Sequence, residues 1–512
     1  MAVAENQKNI LLIMGNGFDL SCGLKSRYDD YFNWRENQLN QIIKNKQCGA
    51  NTFEDYVENL TGSPDSDNSK DDVLRKLKDN DYLSDNPVNG WDYVFALTKR
   101  YISHDYIKEW NDVENVIYNV VTYLLMDDHK WPDLKIRKGY EYIFSKKIEQ
   151  CFKISDKETL SEVMLNELKK FEKNFAIYIK KEVDKNQLYK ISSRELIRRL
   201  VKKELNQNKT VSVDIFSFNY SLDANEAEPY NEYFEKNNCN LQINSWYNIH
   251  GIANPKDMSM QNSNIIFGID ITDLLGSDSS TTLTNDLLKD PRIEFTKSFR
   301  IISEHVNTMR YAGFNPKIDK IIIYGHSLNK MDYSYFRTFF EMLDLYGSNK
   351  LYLELHYYPG KDELTKEKDN IGKLVNLLIT YSRTLGNQYE NSIVDKLVLE
   401  NRLSVVSMGK VREYDEIENK MVNLIKPVNE VNYINNYLNS LPADDGLFLR
   451  TIFSNNKSEI SEWTESDLNT FIGKLRKERY IDKLFNAAEK IEGMNPGIME
   501  KTEKLVDFIG ED

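Results

Sequence analysis

Residues 9–32 read NILLIMGNGFDLSCGLKSRYDDYF, and the fold turns on how this stretch ends its first apolar run. ILLIM has no polar member, as expected of a strand buried on both faces of a sheet. It stops at Gly15-Asn16-Gly17, with an acid at Asp19. One reading is a tight turn and nothing more. The other is a backbone cradle for a phosphate or nucleotide, because glycine permits close approach of a pyrophosphate to N–H groups at a helix start. The spacing is not a complete dinucleotide fingerprint, since Leu20 stands where G-x-G-x-x-G has its third glycine. Asp19 is placed either to cap the following helix or to face a ligand.

Outward from this strand, roughly residues 20 to 207 read as helix. The clearest case is 163–183, where Met164, Leu168, Phe171, Phe175 and Ile179 recur at helical spacing. Residues 61–90 within that interval are charged and turn-rich, and read as a mobile loop around a short helix. Beyond 208 the pattern changes to short apolar runs: 210–219, 240–251, 263–270, 317–328, 351–359 and 402–409. Helical stretches such as 282–306 and 365–384 separate several of them. Strands alternating with helices predict an α/β fold with a mostly parallel sheet buried on both faces. The expected organisation is an α/β nucleotide-binding core from 1–34 and 208–410, a mostly helical insertion over 35–207, and a helical C-terminal domain over 411–512.

The chain has 512 residues and a formal net charge of −13. That balance gives no basic face for counterion release, so nucleic acid is not an expected partner. There is no apolar run of about eighteen residues to span a membrane. The N-terminus has no basic segment ahead of its apolar run, so the cytoplasm is the expected location. Four scattered cysteines without a C-x-x-C pair fit a reducing compartment, and no metal site is expected.

In open α/β sheets ligands bind outside the carboxyl ends of the strands, which makes the strand tips the residues to read. The first tip offers Gly15, Asn16, Gly17 and Asp19. The second, SFNYSLD, offers Ser217 and Asn219. Asn219 is either a turn-former or an amide that orients a substrate or a water. The third, WYNIHG, ends in His250-Gly251, one of six histidines in the chain and a candidate base. The fourth, GHSL, offers Gly325 and Ser327 for a second phosphate or ribose, with Asp332 in the first turn of the next helix. Four polar tips together favour one nucleotide site over four separate turns.

GNGFDLSCGL resembles the sirtuin nucleotide loop, SFNYSLD its T-Q-N-x-D segment, IHG its catalytic His-Gly and GHSL its G-T-S-L. The opening signature from Gly15 to Phe32, with Trp110-Asn111-Asp112-Val113-Glu114, is also similar to AbiH, a bacterial phage abortive-infection family. These resemblances imply a sirtuin-like Rossmann domain that binds NAD and hydrolyses it to nicotinamide and ADP-ribose in an infected cell. Carried over, Gly15, Gly17 and Gly23 would lie against pyrophosphate and ribose. Asn219 would position the nicotinamide ribose and the attacking water, His250 would be the base, and Gly325 and Ser327 would hold the far ribose or phosphate. Asp19 or Glu114 would stabilise positive charge on the ribose. NAD is the substrate, with no further cofactor. Family analogy also implies a homo-oligomer and a phage protein as trigger. A nucleotide-binding sensor without turnover is the alternative.

Overall fold

A computed structural model of the chain describes residues 7–45, 50–61, 88–102, 110–126, Trp131, Ile136, 141–152, 157–186, 189–205, 210–253, 265–274, 290–304, Asn315, 317–329, 332–359, 362–385 and 392–408. Of the loop expected over 61–90, residues 62–87 lie outside these residues, and so does the expected C-terminal helical domain. The described residues up to Glu182, with Val201–His356 and Asp369–Val405, form one compact unit. Val183–Leu200, Tyr357–Lys368 and the described residues after Val405 belong to a second.

The first unit is built on a parallel sheet. Its strands are β1 (Gln7–Met14), β2 (Thr210–Ser217), β3 (Leu241–Asn248), β4 (Lys320–Tyr324), β5 (Tyr352–Tyr357) and β6 (Leu403–Ser407), in the order β3-β2-β1-β4-β5-β6. That is the doubly wound Rossmann order, with its switch point between β1 and β4. Strand β1 lies at the centre, Ile10 pairing with Val213 on one side and Lys320 on the other. Ile10, Leu11, Leu12 and Ile13 are completely buried, which is why the run carries no polar residue. One face of the sheet packs Leu11, Ile13, Ile321 and Ile323 with Phe336, Phe340 and Leu377.

The interval after β1 is helical, as its periodicity predicts. Helix Lys157–Lys185 buries Met164, Leu168, Phe171, Phe175 and Ile179. Phe175 meets Tyr28 and Tyr31 of helix Tyr28–Asn45 at ring separations of 5.5 and 5.1 Å. The buried Arg35 forks onto Asp92 (3.0 and 2.7 Å), and Asp92 also completes a capping box with Asn89 at the start of helix Gly90–Tyr101. Up to Glu182 these helices belong to the same compact unit as the sheet.

The expected strand at 263–270 is not part of the sheet. Its described part, 265–270, is extended and buried, but Ile269 makes only an isolated bridge to Thr296. A side-chain clamp holds it in place. Glu172 and Arg300 pair in the interior, Glu172 accepts from Phe267 N (2.8 Å), and Arg300 donates to Phe267 O (2.6 Å). The Phe267 N–H and C=O are satisfied by this buried ion pair, while Ile266 N donates to His250 O and Ile269 N to Phe295 O. The two helical expectations downstream become a 3-10 turn, Pro291–Phe295, with a short helix, Lys297–Ser303, and the long helix Glu363–Ser382.

In the second unit, helix Tyr189–Leu200 buries Tyr189, Ser193, Ile197 and Leu200 along one stripe. On it, Glu195 accepts from both Arg198 and Arg199, which hold its carboxyl below the usual range against the opposing effect of burial.

Candidate active site

At the switch point the turns after β1 and β4 interlock. Gly15 N donates to Tyr324 O (3.0 Å) and Gly17 N to Gly325 O (2.7 Å). A Cβ on Gly15 would stand 2.5 Å from His326 Cα, and one on Gly17 would stand 2.6 Å from Gly325 Cα. Gly325 has φ +68°, and a Cβ there would lie 2.3 Å from Phe18 N. The glycines therefore serve close approach between two turns, and the Gly15 and Gly17 amides donate within the protein. Gly15, not Asp19, is the N-cap of helix Asn16–Ser21. Gly23 (φ +79°) closes that helix. Its N–H donates to Leu20 O, and Leu24 N–H donates to Asp19 O, the two bonds of a Schellman end.

Asp19 sits inside the helix, buried, and binds across to the tip of β2. It accepts from Asn219 Nδ2 (2.9 Å) and Ser221 Oγ (2.7 Å). Asn219 Nδ2 also donates to Gly15 O (3.0 Å), and Ser217 Oγ accepts from Asn219 N (3.1 Å). Asn16 accepts from Ser26 Oγ through its side chain. Thus Gly15, Asn16, Gly17, Asp19, Ser217, Asn219 and Gly325 occupy adjoining tips. Gly23 lies exposed beyond the short helix, and Ser327 lies exposed on the turn after β4.

His250, at the tip of β3, is buried and enters a second cluster. Both of its ring nitrogens are buried without a hydrogen-bond partner. Phe218 and Tyr335 flank the ring at 5.5 and 5.4 Å. Burial, reinforced by the Lys297 charge, pushes the imidazole down to about 3, with Asp332 partly opposing. The ring is therefore neutral at physiological pH.

Lys297 is the hub of this cluster. Its ammonium lies 2.8 Å from Glu114 Oε2 and 3.0 Å from Asp332 Oδ1, with all three side chains buried. Burial opposes its charge, but Asp332 and Glu114 hold its pKa well above the usual lysine value. Burial also opposes ionisation of Asp332, yet Lys297 and the His326 ring hold that carboxyl far below the usual range. For Glu114 burial wins: with the Asp332 and Asp270 charges adding, its carboxyl is pushed up despite Lys297. His326 takes a defined tautomer. Leu328 N–H donates to its Nδ1 (2.9 Å), so the proton sits on Nε2, 3.5 Å from Asp332 Oδ2. Asp332 is the N-cap position of helix Tyr333–Met342, but its side chain serves Lys297 and His326 rather than the helix. The Tyr335 hydroxyl is buried without a partner, and its phenol is pushed up by burial. Asp270 accepts from Ser334 Oγ (3.0 Å).

Lys297, Tyr335, Asp270 and Ser221 were not legible as site residues in the sequence. A lysine in the run IEFTKSFRIIS reads as a solvated side chain, and nothing in its spacing points to Glu114 or Asp332. His326 was visible only as a member of GHSL. Among the described residues, no group of three or more His, Cys, Asp or Glu is arranged to hold a metal ion. Among the same residues, no helix is long and apolar enough to cross a membrane.

The strand order, the interlocked turns and the buried charged cluster beside them define a Rossmann-like α/β protein with a candidate polar site at its switch point. The chain belongs to the bacteriophage abortive infection AbiH family, whose model matches residues 11–349, and that membership gives it a role in phage abortive infection. Neither the curated proteins nor the solved structures contain a match to it.

Proposed function

We propose that this protein acts in abortive infection by hydrolysing NAD to nicotinamide and ADP-ribose, within a sirtuin-like nucleotide-binding domain. His250 carries the proposal. A neutral imidazole, buried at a strand tip beside the switch point with neither nitrogen bonded, lacks the partners that buried polar groups ordinarily have. A ribose hydroxyl and a water supply the donor and acceptor such a ring needs. A base whose pKa is near 3 takes up little proton in a transition state at neutral pH, so His250 orients ribose and water in this reaction. Asn219 already donates both amide protons, to Gly15 and Asp19, and contributes through Oδ1. Cleavage of the N-glycosidic bond builds positive charge on the ribose, which a site with two carboxylates against one lysine favours. NAD is the substrate and no further cofactor is invoked. Assembly of a homo-oligomer and a phage protein as trigger complete the proposal.

A second reading, a nucleotide-binding sensor without turnover, is favoured by one observation: the Gly15 and Gly17 amides and both Asn219 protons are engaged in holding the turns together. Nicotinamide and ADP-ribose release from NAD, with and without phage lysate, separates the two. Turnover that disappears in His250→Ala and Asn219→Ala, with the fold retained by circular dichroism, supports the hydrolase. NAD binding without product in either condition supports the sensor.

A further inference from the structure

The carboxylates around Lys297 differ in one respect. Asp332 has Oδ1 on Lys297 and Oδ2 facing the His326 Nε2 proton. Asp19, at the neighbouring tips, has one oxygen on Asn219 and the other on Ser221. Glu172 is committed to Arg300 and to Phe267 N. Glu114 has Oε2 on Lys297, while its Oε1 is buried with no partner at all. It shares that condition with both His250 nitrogens and the Tyr335 hydroxyl. Glu114, His250 and Tyr335 each also interact electrostatically with Lys297 and Asp332, which places these unpartnered atoms around one ion pair.

Buried polar atoms left without partners are rare, and several at one place call for a polar ligand or water. Resting on the NAD-hydrolysis reading, we infer that Glu114 is the catalytic carboxylate, and that its Oε1 takes the proton of the attacking water. In that step the bond from the ribose anomeric carbon to nicotinamide breaks, with its electron pair going to the nicotinamide nitrogen. The water oxygen bonds to the anomeric carbon, one water proton passes to Glu114, and solvent later receives it. Lys297 neutralises Asp332, so the second carboxylate supplies net negative charge where the ribose becomes cationic. Burial and the Asp332 and Asp270 charges raise the Glu114 carboxyl towards the range in which a general base works well. Lys297 is the opposing charge, and the Tyr28, Tyr220 and Tyr335 phenols are the other titratable groups that interact with it.

The test uses the full chain with NAD, under whichever condition gives turnover. Glu114→Gln is expected to bind NAD by calorimetry within about threefold of the unmutated chain and to release nicotinamide about 10²–10⁴-fold more slowly. Glu114→Ala is expected to regain at least about tenfold in rate with added sodium formate, which replaces the missing carboxylate as base. The unmutated chain is expected to lose kcat on acidification along a limb set above the ordinary carboxylate range. Glu114→Gln turnover within threefold of the unmutated chain, Glu114→Ala without formate rescue, or a kcat flat across the acid range would each overturn the assignment. If the variants fail to fold, the pH profile of the unmutated chain decides. Turnover lost in His250→Ala but kept in Glu114→Gln overturns the Glu114 role and leaves the hydrolase standing, whereas no turnover in the unmutated chain overturns both.

Discussion

Replacing Lys297 with methionine removes the one cation between two buried carboxylates while keeping most of the side-chain volume. Each contact, at 2.8 and 3.0 Å, corresponds to about 6 kcal/mol of Coulomb attraction at an effective dielectric near 20. Desolvation of the three groups offsets most of that, and deleting one partner of a buried ion pair costs about 3–5 kcal/mol net. The loss also has a pH signature. In the unmutated chain Asp332 is held ionised, so its contribution is present above the unfolded carboxylate pKa and is lost as pH falls through its depressed folded value. Without Lys297 both carboxyls are raised by burial, and the folded variant binds more protons than the unfolded chain. The variant therefore gains stability relative to the unmutated chain as pH falls. Urea unfolding followed by fluorescence of the buried Trp91 and Trp246 reads this directly. The expected deficit is about 3–5 kcal/mol at pH 7.5, narrowing by pH 5. A deficit below about 1 kcal/mol, or one unchanged between the two pH values, would refute the reading of Lys297 as the hub.

Two further outcomes follow from the same geometry. His250, whose folded pKa lies near 3, leaves the unfolded chain binding more protons below pH 6.5. Its contribution is therefore intact above that pH and falls by about 2 kcal/mol on reaching pH 5. His250→Gln should flatten that part of the stability profile in urea titrations run at each pH. Gly17→Ala forces a Cβ to within 2.6 Å of Gly325 Cα and should cost about 1–3 kcal/mol. Gly325→Ala adds left-handed backbone strain at φ +68°, for a total of about 2–5 kcal/mol. Equal urea midpoints for these two variants and the unmutated chain would show that the turns are not interlocked.

The sheet was legible because its strands are buried on both faces and so appear as short apolar runs between helices. Residues 265–270 mimic that signature: Ile265, Phe267 and Ile269 are fully buried, yet their backbone partners are a loop, a bridge and the Glu172–Arg300 pair. Burial is visible in sequence, whereas the source of the backbone partner is not. Asn219 and His250 are singled out by sequence because they stand just after strands. Lys297 could not be found that way. It follows Thr296, which caps a short helix, and its partners Glu114 and Asp332 come from two other helices. Asp19 illustrates a different limit. An acid after two glycines suggests a cap, but Gly15 already holds that position, and Asp19 joins two strand tips that are 200 residues apart in sequence.

The central position of β1 has a consequence for how the chain is made. Ile10–Ile13 are made before the other strands of the sheet, and they end in its middle. Their partner on one side begins at Thr210 and on the other at Lys320. At about 5–20 residues per second, the strand waits roughly 10–40 s for its first neighbour and longer for its second. During that interval a short, uncharged, β-prone segment has no sheet to join, while the helices that follow it are being completed. Newly made chains therefore carry an apolar, β-prone segment without a partner until Thr210–Ser217 has been made, and the helices completed in between are the part of the chain that can cover it.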